Sequence, residues 1–115
     1  MKKILVIDDE TGILELMRTY LSRKGYEVLT EDNGEDGITA LRGDSSIGLV
    51  ILDIRMPGVD GIELFPRIRV EYPATPVIIL TGSMGEEVRD LGADGVFMKP
   101  VDMEELLGKI RELAG

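Results

Sequence analysis

Four charged side chains and one hydroxyl stand directly behind short apolar runs of this chain. Asp8 and Asp9 follow Ile4-Leu5-Val6-Ile7, Asp53 follows Leu49-Val50-Ile51-Leu52, Thr81 follows Val77-Ile78-Ile79-Leu80, and Lys99 follows Gly95-Val96-Phe97-Met98. Carboxylates gathered in one place repel, by roughly 4 kcal/mol for a pair at 4 Å in an effective dielectric of about 20. A hard divalent cation with oxygen ligands relieves that repulsion, and a site with few protein ligands that leaves room for water suits Mg²⁺. A lysine adds a point charge for a carboxylate or phosphoryl oxygen, and a threonine adds a hydroxyl donor. With Mg²⁺, this set would stabilise extra negative charge on one carboxylate, as an aspartyl phosphate requires.

Composition removes the competing chemistries. The chain has 115 residues, the size of one domain, with 22 acidic and 13 basic side chains and a net charge of −9. Such a surface repels nucleic-acid backbones and anionic lipid, so neither is expected to bind directly. With no cysteine and no histidine, thiol nucleophiles, disulfides, imidazole bases and the usual zinc ligands are all excluded. The first apolar run stops after four residues at Asp8-Asp9-Glu10, too short for a signal peptide, and no stretch approaches the ~20 residues of a membrane span. A cytoplasmic protein is expected, and a longer chain could continue past Gly115.

For the chemistry to converge, the runs must be strands with their carboxyl ends at one edge. The four runs, apolar on both faces, read as strands buried in a parallel sheet, and Tyr26-Glu27-Val28-Leu29-Thr30, mixed in polarity, reads as a strand nearer an edge. Helical spacing fills the gaps. Ile13, Met17 and Leu21, with Leu14 and Leu16, form a stripe ended by Gly25. Asn33-Gly34-Glu35-Asp36 opens a second helix bearing Ile38 and Leu41. Asp60 and Glu63 make a capping-box pattern before Ile62, Phe65 and Ile68, and Asp102 with Glu105 repeats it before Leu106, Leu107, Ile110 and Leu113. Between Thr81 and Lys99, Gly82, Gly85, Gly92 and Gly95 leave only residues 86–91 with helical composition, so the fourth helix is predicted to be short and weakly held by Val88 and Leu91. The alternation predicts a doubly wound α/β domain over residues 1–115, whose ligands bind beyond the carboxyl ends of the strands.

These residues resemble the receiver domain of bacterial two-component response regulators, over essentially the whole chain. The resemblance is carried by Ile4-Leu5-Val6-Ile7-Asp8-Asp9-Glu10, by Leu52-Asp53-Ile54-Arg55-Met56-Pro57-Gly58-Val59-Asp60-Gly61, by Thr81 after Pro76-Val77-Ile78-Ile79-Leu80, and by Gly92-Ala93-Asp94 followed by Lys99-Pro100. It implies a flavodoxin-like (βα)5 three-layer sandwich with strand order 2-1-3-4-5, a phosphoryl group accepted on Asp53 from a histidine kinase or phosphotransfer protein, and a signalling rather than an enzymatic role. Asp8, Asp9, Asp53 and the backbone carbonyl of Arg55 would gather Mg²⁺, Thr81 and Lys99 would contact the phosphoryl oxygens, and Lys99-Pro100 would be cis. It also marks Arg55 and Ser83 as positions that tune the lifetime of the phosphoryl group.

Two departures from the family pattern stand out. The segment between Thr81 and Lys99 is shorter by about one helical turn, consistent with a deletion in the fourth helix. Val96 occupies the place of an aromatic that turns inward on activation, and Phe97, one residue along the strand, points to the other face. A pseudo-receiver that keeps the fold and loses the switch is therefore one alternative. An aspartate-nucleophile phosphatase of the haloacid-dehalogenase type is another, although Asp8 and Glu10 replace its paired aspartates and 115 residues leave little room for a substrate cap. A dinucleotide-binding module lacks its glycine fingerprint after the first strand. Glu10 reads equally as a solvated loop carboxylate or a water-mediated metal contact, whereas Asp60 and Asp102 read as helix caps.

Overall fold

The computed structural model describes residues 3–114 and alternates strand and helix throughout. Its elements are β1 (Lys3–Ile7), α1 (Thr11–Arg23), β2 (Glu27–Glu31), α2 (Gly34–Gly43), β3 (Ile47–Asp53), α3 (Gly61–Glu71), β4 (Val77–Thr81), α4 (Glu86–Asp90), β5 (Gly95–Met98) and α5 (Met103–Ala114). All strand pairs are parallel, in the order β2-β1-β3-β4-β5. This is the doubly wound, flavodoxin-like α/β sandwich expected from the sequence.

Alternate strand residues supply two cores. Leu5, Ile7, Val50, Leu52, Val77 and Ile79 face α2, α3 and α4, where they meet Ile38, Leu41, Leu64, Phe65, Ile68 and Val88. On the opposite face Ile4, Val6, Leu49, Ile51, Ile78 and Leu80 meet Met17 and Leu21 of α1 and Leu106, Leu107, Ile110 and Ala114 of α5. Both faces of β1, β3 and β4 are thus covered, as crossover helices require.

Local chemistry sets the helix ends. Asn33 caps α2 by accepting from the Asp36 amide at 2.9 Å, and Asp60 caps α3 by accepting from the Glu63 amide at 3.1 Å. Glu63 makes no return bond to Asp60 among the described side-chain hydrogen bonds, so only half of that predicted capping box forms. Asp102 accepts from the amides of Glu104 and Glu105 at the start of α5. Gly25, with φ +96°, follows the C-cap Lys24 of α1, the left-handed turn for which glycine is suited.

Three details differ from the sequence reading. β5 was expected to be buried on both faces, yet it is the sheet edge: its first three residues are half-buried and Met98 is exposed. Its apolar run matches its two-sided helix contacts, but among the described residues no strand lies beyond it. Leu16 lies at the exposed rim of the α1 stripe, since a stripe five residues wide outruns the face that the sheet covers. On α5, Leu113 is only half-buried and Ala114 takes the fully buried position.

Candidate functional site

Strand register brings the chemical residues to one edge. Ile7 lies opposite Leu52, Asp53 opposite Leu80 and Thr81 opposite Met98. Asp8, Asp53, Thr81 and Lys99 therefore follow one another across the carboxyl end of the sheet. The Lys99 amide donates to the Thr81 carbonyl at 2.8 Å, and the Ile54 amide to the Leu80 carbonyl at 3.0 Å, which continue the ladder into the site. Lys99-Pro100 is cis, as the resemblance implied.

Asp8, Asp53 and Thr81 are buried, with 0%, 3% and 2% of their surface exposed. The Lys99 ammonium stands among the acids, 2.6 Å from Glu10 Oε1, 3.1 Å from Asp8 Oδ2 and 3.5 Å from Asp53 Oδ1. Asp8 Oδ1 accepts from the Glu10 amide at 2.9 Å, and the Arg55 amide approaches Asp53 Oδ1 at 3.4 Å. Although Lys99 Nζ is close to Asp8 Oδ2, it lies off the hydrogen-bonding direction, and that oxygen is buried without a hydrogen-bond partner.

One ammonium does not compensate this much buried negative charge. Burial, then the neighbouring Asp8 charge, push the Asp53 carboxyl up to about 6, while Lys99 pulls the other way. Burial also raises Asp8, against the Glu10 amide and Lys99. Burial lowers Lys99, but its hydrogen bond to Glu10 and the adjacent Asp8 and Asp53 charges outweigh that, and its net shift is upward. Carboxylate oxygens of Asp8, Glu10 and Asp53 lie within 4.8 Å of one another. Hard oxygen donors in that number, one of them buried and unbonded, form a suitable donor set for a small divalent cation.

The convergence includes a residue that sequence reasoning left undecided. Glu10 joins the cluster and holds Lys99, whereas Asp9 is exposed and its carboxylate is not among the three that converge. Glu10 lies past the end of β1, and it is the turn closed by its own amide on Asp8 Oδ1 that folds it back to the cluster.

The Thr81 hydroxyl is engaged by the following loop. Its Oγ1 donates to the Ser83 carbonyl at 2.7 Å and accepts from the Ser83 amide at 3.2 Å. The Arg55 guanidinium pairs with Glu87 Oε2 of α4 at 3.6 Å. Below the site, a Cβ on Gly61 would meet the Asp53 carbonyl at 2.5 Å and Ile54 Cα at 2.8 Å. Glycine at 61 is what lets α3 seat against the end of β3, and its amide donates to the Ile54 carbonyl at 2.9 Å. Asp94 has a supporting role: its Oδ2 accepts from the Val77 amide at 2.8 Å and from Arg69 at 3.0 Å, locking the start of β4 to the loop before β5.

Val96 and Phe97 fall on opposite faces, as the strand offset predicts. Val96 packs with the core under α2, α3 and α4, and Phe97 with the core under α1 and α5.

Known proteins are similar in sequence and in fold. A family model described as the response regulator receiver domain matches residues 4–111. The transcriptional regulatory protein ResD of Bacillus subtilis is 40% identical over 96% of this chain and 47% of its own length. The response regulator ArlR of Staphylococcus aureus is 34% identical over 98% and 52%. The chain spans about half the length of these curated relatives. Among solved structures, the response regulator TrrA of Thermotoga maritima, in complex with Mg(2+)-BeF, superposes with a TM-score of 0.90 at 36% identity, covering 98% of this chain and 99% of that one. The chemotaxis protein CheY4 of Vibrio cholerae gives a TM-score of 0.90 at 28% identity over 98% of both chains. By the family model over residues 4–111 and by these relatives, the chain belongs to the response regulator receiver domain family of two-component systems.

Proposed function

We propose that this chain accepts a phosphoryl group on Asp53 from the phosphohistidine of a histidine kinase or phosphotransfer protein, in a Mg²⁺-dependent reaction, and signals through a changed surface. The observation that carries this reading is the burial of Asp53 at the end of β3, next to Asp8 and 3.5 Å from Lys99. Such a site holds a carboxylate nucleophile in place and supplies positive charge where phosphoryl charge would accumulate. In the transfer, an Asp53 carboxylate oxygen bonds to phosphorus as the bond from phosphorus to the donor imidazole nitrogen breaks. The imidazole keeps the electron pair and takes up a proton. The chain has no histidine, so the donor imidazole must come from outside these 115 residues.

Asp8, Asp9, Asp53 and the Arg55 carbonyl would hold Mg²⁺, with Glu10 close enough to contribute through water. When bound, Mg²⁺ neutralises the carboxylates and the transferring phosphoryl oxygens. Lys99 supplies a charge-assisted contact to the phosphoryl group, and Thr81 a hydroxyl donor once released from Ser83. The aspartyl phosphate is a signalling state of this chain rather than a turnover intermediate. The partners are proteins of a cytoplasmic relay. The charge of −9 disfavours direct contact with nucleic acid or anionic membrane, and no helix among the described residues is long and apolar enough to cross a membrane.

Acetyl phosphate and Mg²⁺, followed by intact-mass measurement, test this reading. The parent gains one phosphoryl mass, and neither Asp53→Asn nor the parent in EDTA does. Absence of any gain in a protein that binds Mg²⁺ would make the chain a pseudo-receiver, and steady hydrolysis of a phosphate ester by Asp53→Asn would make it a phosphatase.

A further inference from the structure

Two polar side chains at the strand ends, those of Thr81 and Arg55, are both engaged with the same short segment. Thr81 is bonded to Ser83, and Arg55, two residues after Asp53, is paired with Glu87 of α4. That segment is thinly held. α4 has five residues, Val88 is its buried one, and Met84 and Leu91 add partly buried contacts. Among the described residues, Arg55–Glu87 is the one ion pair α4 makes with the rest of the protein. Both side chains are about two-thirds exposed, at 68% and 67%, and they meet at 3.6 Å. A pair so wet and so long is easily exchanged.

We infer that Arg55 alternates between two acceptors, the Glu87 carboxylate at rest and the phosphoryl oxygens on Asp53 after transfer, so that phosphorylation untethers α4. A phosphoryl group carries more charge than a carboxylate and presents several acceptor oxygens, a geometry the planar guanidinium matches with two parallel bonds. The backbone already brings the Arg55 amide to 3.4 Å from Asp53 Oδ1, so the side chain has only to swing. Val96 cannot take the part of an aromatic that rotates inward, because it offers no large ring to exchange between core and surface. An electrostatic tether that is withdrawn gives α4 a second state without one. This inference rests on Asp53 being the phosphoryl acceptor.

Amide hydrogen exchange over residues 83–91, with phosphoryl stoichiometry read by intact mass in the same samples, provides the test. In the parent, phosphorylation speeds exchange of this segment by about two- to fivefold, the effect of losing one exposed ion pair on a local opening. Glu87→Gln shows that speed at rest and still gains the phosphoryl mass. Arg55→Met, which keeps its backbone carbonyl, is equally fast at rest and gains nothing further on phosphorylation. The double exchange Arg55→Glu with Glu87→Arg restores the resting rate. A phosphorylated parent with unchanged exchange overturns the inference while leaving the acceptor role intact. So does a further rise of parental size in phosphorylated Arg55→Met, which would assign the change to Thr81. No phosphoryl mass in the parent removes the acceptor role and the tether exchange together.

Discussion

Asp8 and Asp53 end strands whose side chains are covered on both faces by helices, whereas Thr81 and Lys99 frame a segment that is half-buried, punctuated by glycine and spanned by a five-residue helix. Asp53, the proposed acceptor, and its acidic neighbours thus sit on the part of the molecule that yields last. The groups that would read the phosphoryl charge sit beside the part that yields first. A receiver needs both, a fixed place for transfer and a compliant place for output, and here the boundary runs between β3 and the connection from β4 to β5.

The largest expected effect probes the fixed side. Leu52→Ala, with Leu52 wholly buried under Asp53, costs about 2–5 kcal/mol in urea unfolding, with the whole domain unfolding in one transition. A Leu52→Ala protein that loosened only near the site would break the contrast. Next is Asp53 itself. Its folded pKa of about 6 lies above the ordinary 3.8, so its ionisation opposes folding: stability is full below pH 3.8 and is lost as pH rises through 6. Asp53→Asn in EDTA therefore gains up to about 3 kcal/mol at pH 8 and nothing near pH 3.5, measured by thermal unfolding across that range. A pH-independent gain would place the unfavourable charge elsewhere.

Val88→Ala tests the compliant side. It costs about 1–2 kcal/mol, and this appears as faster hydrogen exchange confined to residues 83–91, with smaller change in global unfolding. Smallest is Arg42→Gln, which breaks an exposed pair in which Arg42 Nη2 lies 2.6 Å from Glu71 Oε1. It costs under about 1 kcal/mol, and less as salt is added. It sets the floor against which the other three are read.

Strand positions were legible from where apolar runs stop and acids begin, because a parallel sheet buries its central strands and leaves chemistry at their ends; the strand order came only with the family resemblance. The short α4 was equally legible, since Gly82, Gly85 and Gly92 deny it length. Burial of β5 was not: Val96-Phe97-Met98 is as apolar as a central strand, and only the completed topology makes it an edge. At the site, the convergence of Asp8, Asp53, Thr81 and Lys99 followed from register alone. The place of Glu10 did not, because a loop carboxylate is assigned by the turn that folds it back, here the bond from its own amide to Asp8. Nor did the sequence reveal that Thr81 bonds to Ser83 and Arg55 pairs with Glu87, since the choice of rotamer among nearby polar partners leaves no pattern along the chain. The backbone contact that forbids a Cβ at position 61 was hidden for a related reason: it depends on the closeness of two elements, not on either one.

The shortness of β5 also bears on how copies of this chain behave together. An edge strand offers its unpaired amides and carbonyls to any extended segment that arrives, and a long flat apolar one is a template for aggregation. Here that edge is four residues long and ends at Lys99, whose charge is committed to the acidic cluster. Half-exposed Phe97 and exposed Met98 would otherwise make it adhesive. Truncation of this edge, together with mutual repulsion between molecules of charge −9, leaves little opportunity for strand-to-strand growth from β5.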